Sequence, residues 1–124
     1  MYKRQTLLGR LCRFHLWEPN QFGIHKPLPH DAALAEHGPG IRRAFTYKAL
    51  NRLIQGSAAD QTKQAIVSCS HLGYTPLLQI QVELCFNVHE EDVKKIVKEM
   101  EGCVELNVPS VVDVALGNDF GSAT

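Results

Sequence analysis

No stretch of this 124-residue chain approaches the roughly 20 consecutive apolar residues of a membrane helix, so a helical span is excluded. The N-terminal MYKRQTLLGRLCRF has arginines among its apolar residues and no small-residue cleavage site, so it does not read as a secretory signal, and a cytoplasmic location is expected. There is no CxxC pair. Cys12, Cys69, Cys85 and Cys103 stand far apart and read as reduced thiols. The six histidines are equally scattered, and no zinc-type spacing joins them to the cysteines. Net charge is absent too, but the balance hides an asymmetry. Residues 1–63 hold ten Lys/Arg against four Asp/Glu, a net of +6, and the remainder carries −6. A basic half suits a polyanion, because each neutralised phosphate releases counterions; two mutually attracting halves of one fold would give the same count.

What is present suffices for one domain with a modest core, since 44% of the residues are apolar and the charges are mixed. Residues 2–17 mix β-favouring and basic residues and read as a strand pair or an extended arm turning near Gly9. Residues 18–40 hold four of the six prolines and read as a surface loop with a helical turn at DAALAEH. From about 42 to 70, Leu50, Leu53, Ile54, Ala58, Ala65, Ile66 and Cys69 recur at helical spacing and predict one apolar face. Gly56 interrupts that stripe. A glycine there costs about 1 kcal/mol relative to alanine, so two helices or one bent helix are expected, with Ser57 available as a cap. Gly56 would also permit close approach by another backbone.

Residues 77–88 predict a β-hairpin turning at Gln81, Val82 and Glu83. EEDVKKIVKEMEGC predicts an amphipathic helix with Val93, Ile96, Val97 and Met100 inward and a Glu91–Lys95 pair. SVVDVAL, residues 110–116, predicts a last strand. The expected class is α+β, a small antiparallel sheet of the hairpin and the C-terminal strand with a long helix and an amphipathic helix packed on it. A lone turn carboxylate such as Glu83 is more often solvated than a ligand, and two-metal phosphoryl transfer needs several carboxylates.

Several stretches together resemble the C-terminal palm of family A DNA polymerases. LIQGSAAD at residues 53–60, preceded by Asn51, matches the family's R-x-x-x-N-x-x-x-Q-G-[ST]-A-A-D, with Tyr47 in the arginine position and Lys48 beside it. The hairpin resembles [LI]-x-[VI]-H-D-E-[LI]: Leu78, Ile80, Glu83 and Leu84 fit, Gln81 stands for the His and Val82 for the metal-binding Asp. TLLGRLCRF resembles T-L-x-G-R-R, with Arg10 fitting, Leu11 in place of an arginine and Arg13 nearby. LNVPSVVDVALGNDF resembles the family's closing strand, with Phe120 in the aromatic position.

The resemblance implies a single partial palm domain over residues 1–124: a basic strand arm (1–17), a Pro/Gly loop (18–40), then helix, hairpin, helix and strand (41–124). It implies primer-template DNA as partner, with Asn51 and Gln55 on one helix face reading minor-groove acceptors and Arg10, Arg13, Arg42, Arg43, Lys48 and Arg52 supplying positive charge. The intact family enzyme uses Mg2+. The second metal-binding Asp and the fingers helix would lie before Met1, and Val82 has no lone pair for a metal, so the isolated chain is expected to bind none and not to polymerise, with Glu83 the residual carboxylate. The alternatives are a non-catalytic primer-template module, a subunit completing the N-terminal part of a split polymerase, or an interaction domain unrelated to nucleic acid.

Overall fold

The computed structural model describes residues 3–123; the first two residues of the expected basic arm and Thr124 lie outside them. The chain divides into two compact units, Met1–Asp60 and Gln61–Thr124.

In the first unit, β1 (Lys3–Gln5) and β2 (Leu11–Arg13) pair antiparallel as the expected hairpin, with Arg4 opposite Cys12. Gly9 sits at φ 88° in the connecting turn, a left-handed conformation that a side chain disfavours. Beyond it, β3 (Leu16–Pro19) lies between β4 (Leu28–Pro29) and β5 (Ile41–Arg43) in a three-stranded antiparallel sheet. The proline-rich stretch is thus more ordered than a loop. It supplies the end of β3, all of β4 and a two-turn helix, α1 (His30–His37), in which Ala33 is fully buried. Pro19 ends β3 and Pro29 sits in the two-residue edge strand β4, where a missing N–H costs little, while Pro27 and Pro39 lie outside the strands. Phe14, Ala33 and Ala44 form the small buried core of this unit. Trp17 of β3 ties the sheet to α1: the Arg43 guanidinium lies 4.5 Å from its ring centroid, and His30 meets the ring edge-on at 4.9 Å.

One turn of 3-10 helix (Thr46–Lys48) leads into α2 (Ala49–His71). The helix is continuous through Gly56, so of the two expectations the pair of helices, with its Ser57 cap, does not occur. The reason is tertiary. Ser57 is used inside the helix: its hydroxyl donates to the Leu53 carbonyl at 2.8 Å and accepts the Leu7 amide at 2.9 Å. Gly56 receives the turn between β1 and β2, the predicted close approach, here made by side chains: a Cβ on Gly56 would lie 2.8 Å from Thr6 Cγ2. The expected apolar stripe also divides differently. Leu50 and Ile54 are 68% and 61% exposed, while Leu53, Gly56, Ser57 and Asp60, at three- and four-residue steps, form the covered face.

These facts set the sign of a substitution. In an exposed helix Gly→Ala gains about 1 kcal/mol, but the new methyl would press on a buried β-branched side chain, and overpacking costs about 1–3 kcal/mol. Gly56→Ala is therefore expected to be neutral to destabilising, by up to about 2 kcal/mol, in a urea titration. A gain of about 1 kcal/mol would show that Thr6 does not press on the helix there.

In the second unit, residues 61–71 of α2 bury Thr62, Ala65 and Cys69. The hairpin forms as expected, with β6 (Leu78–Ile80) antiparallel to β7 (Glu83–Cys85) and Ile80 opposite Glu83. The amphipathic helix α3 (Glu90–Gly102) buries Ile96, with Val93, Val97 and Met100 half-buried. Lys95 pairs with Asp92 at 2.9 Å rather than with Glu91, because Asp92 is already held by the Tyr74 hydroxyl at 2.8 Å. The hydrogen bonds from Lys95 and Tyr74 hold the Asp92 carboxyl below its ordinary range, and Asp92 in turn raises both Lys95 and Tyr74. Burial pushes the Cys69 and Cys103 thiols up, which keeps them protonated and unreactive.

Residues 110–116 do not form the expected strand, and among the described residues the small sheets are three separate ones rather than one. A strand needs a ladder partner. Here the Val112 amide donates instead to the Glu101 carboxylate at 3.0 Å, and Ser110 takes the Gln61 side-chain amide at 2.8 Å.

Candidate nucleic-acid interface

The first unit carries most of the sequence-predicted residues. Asn51 and Gln55 lie on α2 four residues apart, both exposed, hence one helical turn apart on one face. Arg52 is exposed beside them, its guanidinium 5.1 Å from the Phe14 ring centroid. Lys48, in the turn before the helix, spreads its ammonium over Phe45 and Tyr47 at 5.2 and 5.6 Å. Phe45 holds φ 61°, a conformation that costs a bulky residue roughly 1 kcal/mol or more and fixes the entry to the helix.

The other basic residues differ in how much charge they leave for a partner. Arg13 is exposed on β2. Arg42 is exposed on β5 but pairs with Glu18 directly across the sheet at 2.9 Å. Arg43 serves the fold: it is half-buried on Trp17 and donates to the Phe14 carbonyl at 2.6 Å.

Arg10 sits in a network that residue patterns did not reveal. Its Nη2 donates to Asp60 Oδ1 at 2.9 Å and to the Gly56 carbonyl at 2.8 Å, while its own amide donates to Thr6 Oγ1 at 3.0 Å. The Thr6 hydroxyl donates to Asp60 Oδ2. Asp60 is only 7% exposed, so its charge is buried with two donors in place, as a buried carboxylate requires. GSAAD therefore fastens TLLGR. The one sequence signal for this was an acidic residue on the covered face of a helix.

The hairpin turn of the second unit places Gln81 at φ 53° and leaves Val82 60% exposed. Gln81, Val82 and Glu83 are all exposed, and the Gln79 side chain donates to the Gln81 carbonyl at 2.9 Å. Among the described residues no group of three or more His, Cys, Asp or Glu is placed to hold a metal ion. One turn carboxylate does not make a two-metal centre, so the residues present do not fit the Mg2+ pair that the resemblance implied. Among the described residues no helix is long and apolar enough to cross a membrane.

The family model for DNA polymerase family A matches residues 3–122. A DNA-directed DNA polymerase of Pseudomonas phage M6 is 44% identical over 117 residues, covering 94% of this chain and 14% of the relative. A thermostable DNA polymerase I of Thermus filiformis is 37% identical over 107 residues, 80% of this chain and 12% of the relative. DNA polymerase I of Mycobacterium leprae is 38% identical over 93 residues, 67% and 10% respectively. The chain thus spans 14% or less of the length of these relatives. No solved structure gives a significant match.

Proposed function

Since the chain belongs to DNA polymerase family A, we propose that it is the C-terminal palm region of a DNA-directed DNA polymerase and that its part in synthesis is to hold the primer-template duplex. The observation that carries this reading is the exposed Asn51–Gln55 pair, one helical turn apart within the family's most specific stretch. Side-chain amides at that spacing can donate to the minor-groove acceptors that every base pair presents, which senses duplex shape rather than sequence. Arg10, Arg13, Lys48 and Arg52 supply cations for the flanking phosphates. Arg42 contributes less, because Glu18 already neutralises it, and Arg43 is committed to Trp17.

The chemistry of nucleotide addition is not carried by this chain alone. Where the resemblance requires a metal-binding carboxylate, Val82 presents a methyl-capped surface, and Glu83 alone cannot gather two cations. The chain therefore acts as a duplex-holding part, by itself or beside the remainder of a polymerase.

Two assays test this. In anisotropy competition, the chain is expected to prefer primer-template duplex over single strand of equal length, and equal affinity would contradict minor-groove reading. In a primer-extension assay with magnesium and all four deoxynucleotides, no product is expected, and extension by the purified chain would overturn the inactive hairpin.

A further inference from the structure

Arg10 looks like a poor phosphate ligand, because the carboxylate of Asp60 lies 2.9 Å away and cancels its charge. Its geometry says otherwise. Both hydrogens of Nη2 are spent, on Asp60 and on the Gly56 carbonyl, which fixes the plane of the guanidinium against the helix backbone. Its side chain is nevertheless 50% exposed, and the N–H groups on Nε and Nη1 take no part in these two bonds. Gly56 directly follows Gln55, so the fork is held within one residue of the proposed groove-reading amide. Asp60 is itself locked from the opposite side by the Thr6 hydroxyl, and Ser57 holds the same turn through the Leu7 amide.

We infer that Asp60 is a positioning residue: it presets the Arg10 guanidinium so that its remaining N–H groups meet a backbone phosphate of the duplex whose minor groove faces Gln55. The inference rests on the duplex reading above and adds to it the residue that aims the phosphate contact. A flexible arginine loses much rotamer freedom when it grips a phosphate; one already held at Nη2 loses little. The buried carboxylate thus lowers the net charge and raises the quality of the contact.

Position and charge predict opposite signs, which makes the inference testable. Duplex affinity is measured by anisotropy over a salt series for wild type, Arg10→Lys, Asp60→Asn and Gln55→Ala, each shown to be folded by circular dichroism. Each phosphate contact contributes about 0.9 to the slope of log K against log salt. Arg10→Lys keeps the charge but loses the planar guanidinium that Asp60 and Gly56 hold in place, and Asp60→Asn makes the chain more positive; both are nevertheless expected to lower the slope by about 0.9 and to weaken binding severalfold at low salt. A merely structural Asp60 would lower thermal stability and leave the folded variant binding as well as or better than wild type. That result, or wild-type behaviour of Arg10→Lys, overturns the inference. Should Asp60→Asn fail to fold, Arg10→Lys decides, since its side chain is half exposed. If Gln55→Ala weakens binding while the other two variants do not, only the positioning role falls; if folded wild type binds no duplex, the duplex reading falls and takes this inference with it.

Discussion

Asp60→Ala is expected to lower the stability of the first unit by about 2–4 kcal/mol, a large share of the roughly 5–15 kcal/mol that holds a typical domain together. Removing one partner of a fully buried ion pair costs about 3–5 kcal/mol. That figure is an upper bound here, because Arg10 is half exposed and water can take over its freed donors. The larger part of the loss falls on Thr6. Its side chain is buried, its hydroxyl donates to the carboxylate, and a hydrogen bond to a charged group is worth about 1.5–3 kcal/mol. Alanine also leaves a small void on the covered face of α2 beside Ser57 and Gly56. Urea unfolding followed by circular dichroism measures the change through the midpoint. A shift under about 0.5 kcal/mol, the size of an ordinary surface substitution, would mean that the carboxylate does not fasten the turn.

Binding to duplex DNA is expected to fall about 40-fold when salt rises from roughly 50 to 200 mM, provided three phosphates are neutralised at about 0.9 each. The count of three sits just under the limit of four that is set by what each cation is doing. Arg43 is excluded, since its guanidinium lies on Trp17 and donates to Phe14. Arg42 is discounted for its cross-strand partner Glu18. Arg10, Arg13, Lys48 and Arg52 remain, and four cations on one small unit need not all reach a phosphate at once. A slope near zero would mean that these cations do not meet DNA phosphates.

How much of this was legible depends on the range of the interactions. The turn at Gly9, the 78–85 hairpin and α3 were readable because their signals are local: a glycine between β-favouring runs, alternation, and a helical period. The Asn51–Gln55 spacing was readable for the same reason. The continuity of α2 through Gly56 was not, because it depends on Thr6, Leu7 and Arg10, some fifty positions away in the chain. Local propensity put a break there, at a cost of only about 1 kcal/mol, and the tertiary fastening outweighs it. The missing last strand is the mirror case: SVVDVAL has β-branched residues, but Glu101 takes the Val112 amide, Gln61 bonds the Ser110 hydroxyl, and among the described residues no strand pairs with it. The exposure of Leu50 and Ile54 was equally invisible, since helical period identifies a stripe but not which stripe a neighbour covers.

The most direct test of the account compares wild type with Gln55→Ala by fluorescence anisotropy on a labelled primer-template duplex at low salt. Loss of one or two side-chain hydrogen bonds to the groove, at about 0.5–1.5 kcal/mol each, predicts weakening of roughly threefold to tenfold with the fold unchanged. Equal dissociation constants for the two proteins, or no binding by a wild-type chain shown to be folded, would contradict a duplex-holding role for this face of α2.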